Sequence, residues 1–214
     1  MNNQHDETLA AIAEARLLAI LRTTDQQRAD DAANAVIDGG FKLVEFTMNT
    51  PGALELIGKY AQDSRVVVGA GTVLSVEHVE QAIDAGARFI VSPHTDARVI
   101  AATRDRGAVS VPGAYSPTEM MQAHDAGADI IKLFPSAADI AQYVRQLVGP
   151  LPHLKILPTA GVTPENFQAI LGAGAFGVGF VSSLFTPEDI AAENFEAIKR
   201  RAESIVAAHL ESRG

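Results

Sequence analysis

The chain has no cysteine, which excludes disulfides, thiolate catalysis and cysteine-ligated metal sites and suits a reducing compartment. Positive charge is in short supply. Lys and Arg number 17 against 26 Asp and Glu, a formal net charge of -9, so nucleic acid is not an expected partner. No apolar run approaches the length of a membrane span and the first seven residues, Met1 to Glu7, are polar and acidic; the expectation is a cytoplasmic protein with no membrane contact. Linkers and low-complexity stretches are also missing. The 214 residues, 47% hydrophobic and 20% charged, therefore read as one domain over 1–214 that buries a sizeable core.

Against this background two charges stand in the wrong company. Lys132 sits in Ile130-Ile131-Lys132-Leu133-Phe134-Pro135, and Glu45 in Leu43-Val44-Glu45-Phe46-Thr47. Both runs read as buried strands. An ammonium among aliphatic side chains loses hydration, which disfavours its charged form and frees the amine as a nucleophile for a carbonyl carbon. A carboxylate in the same situation is costly unless it is paired or used. Each has a plainer reading, as a strand-end charge whose tip reaches water. Together they form the pair that Schiff-base chemistry requires, one group attacking and the other moving protons.

Eight apolar runs punctuate the chain, at 17–21, 43–47, 66–69, 89–92, 109–112, 130–134, 154–158 and 176–180. Helical stretches separate them, several ending in glycine stops such as Asp38-Gly39-Gly40, Asp84-Ala85-Gly86 and Asp125-Ala126-Gly127. Near-continuous aliphatic strands alternating with helices mark a parallel sheet covered on both faces. Eight units predict an α/β fold of the TIM (β/α)8 barrel type, preceded by a short helix over 8–15; a doubly wound open sheet is the alternative.

In a barrel, chemistry belongs at the carboxyl ends of the strands. The polar and glycine residues fall there in register: Arg22, Glu45 and Asn49, Gly71 and Thr72, Pro93, Lys132 and Phe134, Thr159 with Ala160 and Gly161, and Gly179 with Ser182. Glycines at such positions either turn the chain or let backbone N–H groups approach an anion. No His-x-x-x-His or acidic cluster stands at metal-ligand spacing, and neither a metal nor a cofactor is expected where a Schiff-base iminium supplies the electrophile that a metal otherwise would. The six His read as scattered surface or loop residues, with only His94 at a strand end.

Across nearly the whole chain these stretches resemble the KDPG/KHG class I aldolases, which act on 2-keto-3-deoxy-6-phosphogluconate, its phosphogalactonate counterpart and 4-hydroxy-2-oxoglutarate. The resemblance is carried by Val44-Glu45-Phe46-Thr47, Gly69-Ala70-Gly71-Thr72-Val73-Leu74, Val91-Ser92-Pro93, Val111-Pro112-Gly113, Ile131-Lys132-Leu133-Phe134-Pro135 and Pro158-Thr159-Ala160-Gly161-Val162. It implies reversible cleavage of a 2-keto-3-deoxy sugar acid to pyruvate and an aldehyde such as glyceraldehyde 3-phosphate. Lys132 is implied as the Schiff-base residue, Glu45 as the proton shuttle, and a homotrimer as the assembly. Two departures are notable. Asn49 stands where some members carry an Arg for the substrate carboxylate, which leaves Arg22 as the substitute clamp. Ala160 and Val181 stand where phosphate-binding members show glycine, adding side chains without removing any N–H donor. Two other function classes fit the same pattern: a different sugar-phosphate barrel enzyme, an epimerase or decarboxylase, and a non-catalytic metabolite-binding barrel.

Overall fold

A computed structural model describes residues 3–212. It consists of short parallel strands alternating with helices. The strands are β1 (Leu17–Leu21), β2 (Leu43–Thr47), β3 (Val67–Gly71), β4 (Phe89–Val91), β5 (Val109–Val111), β6 (Gly113–Ala114), β7 (Ile131–Leu133), β8 (Ile156–Pro158) and β9 (Val178–Phe180). The fifth expected run, 109–112, forms β5 and stops at Pro112, which has no N–H to donate to a ladder; β6 resumes the strand beyond it. The third strand lies further along the chain than the expected run 66–69, because Ala70 and Gly71 belong to it. The helices are α1 (Asn3–Ala15), α2 (Gln26–Asp38), α3 (Ala53–Tyr60), α4 (Val76–Asp84), α5 (Ala97–Asp105), α6 (Pro117–Asp125), α7 (Ile140–Val148), α8 (Phe167–Gly172), α9 (Pro187–Ala191) and α10 (Phe195–Glu211). α1 starts earlier than its apolar face implies.

The strands form a curled parallel sheet in two hydrogen-bonded pieces, ordered β5-β4-β3-β2-β1-β9 and β6-β7-β8. The last strand lies beside the first: Leu18 registers with Gly179 on one side and with Leu43 on the other. A doubly wound sheet reverses its strand order at a switch point; here the order runs on without reversal.

Side chains alternate across the pleat, and this alternation divides the core. One set faces the helices: Leu17, Ala19 and Leu21 of β1, Val44 and Phe46 of β2, and Ile131 and Leu133 of β7 all belong to the outer apolar layer. The other set faces the inside of the curl, where Leu18, Ile20, Leu43, Phe89, Val91, Val109, Val111, Ile130 and Leu157 pack together with Ile12 of α1. They leave a void of only about 10 Å³ with a wholly apolar lining, too small and too apolar to hold an ordered water. Gly69 is required here: the Phe89 ring occupies the space of any Cβ at that position. α1 therefore seals the amino-terminal end of the curl.

One expectation fails on α10. His209 is not a surface or loop residue but is buried, 4% exposed, because it continues the apolar face of Ile198, Ala202 and Ile205 at helical spacing. Among the described residues, no helix is long and apolar enough to cross a membrane.

Candidate active site

The inner face of each strand changes character as it rises. Two residues above Leu43 on β2 the inward position is Glu45, and two above that is Thr47; above Ile130 on β7 it is Lys132; above Leu157 after β8 it is Thr159; above Ile20 after β1 it is Arg22. The period-2 rule thus carries a polar layer on top of an apolar floor. Together these side chains line a cavity of about 330 Å³ at the carboxyl ends of the strands. Arg22, Glu45, Thr72, Pro93, Lys132, Phe134, Thr159, Ala160, Gly161 and Ser182 all reach it.

Lys132 and Glu45 are not strand-end charges. Glu45 is the middle residue of β2, opposite Ile20 and Gly69, and is 1% exposed; Lys132 is the middle residue of β7 and 9% exposed. Neither carboxylate oxygen of Glu45 has a hydrogen-bond partner among the described residues. Burial pushes the Glu45 carboxyl above the ordinary carboxylate range, and the positive charges of Lys132 and Arg22 only partly oppose it. Burial likewise holds the Lys132 ammonium below its ordinary value; the Glu45 charge pulls it back and the Arg22 charge adds to the depression. The Lys132 Nζ lies 5.1 Å from the centre of the Phe134 ring, which closes one side of the amine.

Three of the expected residues do not line the cavity. Gly71 stands behind Glu45, where any Cβ would occupy the place of the carboxylate. Gly179 plays a similar part for its neighbours: a Cβ there would lie 2.8 Å from Ile20 and 2.9 Å from Thr159. Asn49 is exposed on the turn after β2, because the chain turns back immediately after Thr47, with Thr50 N donating to Thr47 O at 2.8 Å.

The loops after β8 and β9 are tied into a fixed shape. Asn166 accepts from Thr163 N and donates to Gly161 O, both at 2.8 Å, and the Ser183 hydroxyl donates to Val162 O at 2.6 Å. Gly161 has φ +75°, which glycine alone adopts freely. Thr72 has φ +56°; a β-branched residue held there stores about 1–3 kcal/mol of strain, of the kind concentrated at functional sites. Val181, marked in the sequence as a departure from the glycine pattern, lines the cavity as well; Ile20, Thr47, Val162, Thr163 and Ser183 also line it without being expected site residues. For Ile20 and Thr47 the signal was available, since each lies two residues from an expected site residue on the same strand face.

The model of the KDPG and KHG aldolases matches residues 9–201. The chain belongs to this family. Within it, the chain is 35% identical to the 2-dehydro-3-deoxy-6-phosphogalactonate aldolase of Escherichia coli (strain K12), with 92% of this chain and 95% of that protein aligned. It is 34% identical to the 2-dehydro-3-deoxy-phosphogluconate aldolase of Treponema pallidum (strain Nichols), over 73% of this chain and 75% of that one. In three dimensions it resembles a structure described as native KDPGal, with a TM-score of 0.83 and 35% identity over 91% of this chain and 94% of the other. As an aldolase of this family the chain is an aldehyde-lyase. The epimerase, decarboxylase and pure binding readings fall away with that membership.

Proposed function

We propose that the protein is a class I aldolase that cleaves a 2-keto-3-deoxy-6-phospho sugar acid to pyruvate and an aldehyde such as glyceraldehyde 3-phosphate, with Lys132 as the Schiff-base residue and Glu45 as the proton shuttle. The observation that carries this reading is a buried amine and a buried, unpartnered carboxylate facing one cavity. Burial favours neutral Lys132, whose lone pair attacks the C2 ketone to give a carbinolamine. Glu45 moves the protons that convert it, with loss of water, to an iminium ion. Glu45, as carboxylate, then accepts the C4 hydroxyl proton while the C3–C4 bond breaks. The bonding pair flows into the iminium, leaving an enamine, and the aldehyde departs. Protonation at C3 and hydrolysis return pyruvate and free Lys132. A raised carboxyl value suits a group that both takes and gives protons near neutral pH.

Arg22 clamps the substrate carboxylate, and the backbone around Gly161 and Ser182 cradles the phosphate. The two pieces of sheet act as arcs of one eight-stranded barrel: Ile130 N donates to Ser110 O at 3.1 Å on one side of the gap, and Phe176 N to Ile156 O at 2.8 Å on the other. In this reading the enzyme is a cytoplasmic homotrimer. Exposed Leu74, Val76, Tyr115 and Phe134, all on the carboxyl side of their strands, support self-association, which sedimentation velocity measures directly.

Incubation with pyruvate and borohydride tests the chemistry. One reduced pyruvate per chain, located on Lys132 by peptide mass spectrometry, is expected. Lys155 is the control: it precedes β8, with its amine 5.9 Å from the Phe176 ring centre, and stays unmodified. An adduct elsewhere, or normal cleavage by Lys132→Ala, refutes the assignment.

A further inference from the structure

The two peptide groups that flank Arg22 are both held by buried hydroxyls. On its amino side, Leu21 O accepts from the Thr47 hydroxyl at 3.2 Å. On its carboxyl side, Thr23 N donates to the Thr50 hydroxyl at 3.3 Å. The two hydroxyls lie 3.1 Å apart, and both threonines are 3% exposed. Each hydroxyl has one proton, so the direction of the chain is determined. A carbonyl can only accept, so the Thr47 proton goes to Leu21 O. The contact between hydroxyls is then filled by the Thr50 proton, and Thr50 in turn accepts from Thr23 N–H. The relay is saturated and runs one way, from Thr23 N–H through Thr50 and Thr47 to Leu21 O.

The Arg22 side chain has nothing comparable. Its guanidinium makes no hydrogen bond or ion pair among the described residues, and the side chain is exposed at the mouth of the cavity. An arginine without side-chain partners is aimed by its backbone alone. Here that backbone is fixed from β2, the strand that bears Glu45.

We infer that Thr50 and Thr47 are positioning residues for substrate binding, whose hydroxyl relay pins the peptides on both sides of Arg22 and so aims its guanidinium at the carboxylate of the 2-oxo acid. This rests on the aldolase reading in which Arg22 is the clamp. Thr50 is the informative member, because it does not line the cavity and acts only through what it holds. A site whose supporting hydrogen bonds are removed loses geometry before it loses groups, so the loss falls on binding.

The experiment measures KM and kcat for a 2-keto-3-deoxy-6-phospho sugar acid with the full-length protein carrying Thr50→Val, Thr50→Ser and Arg22→Ala, and with the Thr50→Val/Arg22→Ala double variant. Thr50→Val keeps the shape and removes the hydroxyl. It should raise KM about tenfold with kcat within about twofold, the signature of lost binding common to ground and transition states. Thr50→Ser should restore wild-type KM, and Thr50→Val should add nothing once Arg22 is gone. Thr47→Val breaks the relay at its other end and is read in the same way if Thr50→Val does not fold. An unchanged KM in the valine variants, a fall confined to kcat, or an undiminished effect of Thr50→Val in the Arg22→Ala background overturns the proposal. If Arg22→Ala itself leaves KM unchanged, the clamp assignment fails and the relay with it; that result is visible in the single variant, apart from any threonine change.

Discussion

Gly71 of β3 stands directly behind Glu45 of β2: the space a Cβ would take at position 71 is already filled by the Glu45 carboxylate. The neighbouring strand therefore fixes where the Glu45 carboxylate can sit, without contributing a functional group. Gly71→Ala should push the carboxylate out of place and lower kcat about 10²-fold, the scale on which a displacement near 1 Å costs an enzyme its rate. The same substitution in a Glu45→Gln background should cost little more. Steady-state kinetics of the four proteins decide it; strict additivity of the two losses contradicts the relationship.

Glu45→Gln keeps the shape of the side chain but cannot take a proton. Turnover should fall by about 10² to 10⁴, the range for loss of a general acid–base, with KM nearly unchanged. A rise in KM at intact kcat makes Glu45 a binding residue instead.

The buried pair should also be visible in stability. Glu45 has a folded value above its ordinary one, so the native state keeps a proton that the unfolded chain has lost, and its contribution to stability falls as pH rises through that interval. Lys132 has a folded value below its ordinary one. The native state sheds a proton that the unfolded chain retains, so its contribution rises with pH from the folded value up to the ordinary lysine value. Glu45→Met with Lys132→Met removes both slopes. Burial of ionisable groups is costly, and packed apolar side chains in their place are often neutral to stabilising by about 1–4 kcal/mol. Chemical denaturation across pH should show a flatter profile and a stability no lower than wild type; a clear loss shows that the pair stabilises the fold.

At the proposed phosphate end, Gly161 is the residue to change. With φ +75° and the Ser136 hydroxyl 2.5 Å from the site of a Cβ, Gly161→Ala should distort the loop and lower kcat/KM for the phosphorylated acid at least about tenfold, while pyruvate still traps on Lys132. Wild type should prefer the phosphorylated over the unphosphorylated acid, and Ala160→Gly with Val181→Gly should widen that preference, since discrimination is the ratio of the two kcat/KM values. A wild-type preference for the unphosphorylated acid removes the phosphate from the assignment.

Much of this was readable from residues alone, for a definite reason. Aliphatic runs report strands buried on both faces, and a charge inside such a run is conspicuous, so Lys132 and Glu45 stood out, as did the family resemblance. What was lost was lost to side chains with no anomaly. Thr47 and Thr50 are ordinary hydroxyls in sequence, and only the pairing of β1 with β2 brings them to the Arg22 peptides. Asn49 was read as a site residue from its place after a strand, but the tightness of the following turn leaves it outside the cavity. His209 was misplaced because a histidine on an apolar helix face looks like any polar residue until the helix is docked. Gly71 hid the carboxyl end of β3, because glycine signals a turn more often than a strand that must admit a neighbour's side chain.

The apolar floor packed on Ile12 stoppers the interior beneath the site among the described residues. With that end closed, water that hydrolyses a pyruvate iminium on Lys132 reaches it from the carboxyl side of the strands, where the cavity lies. On the proposed mechanism, departure of the aldehyde and arrival of the hydrolytic water then share one side of the sheet, so that the first product leaves before the second is set free.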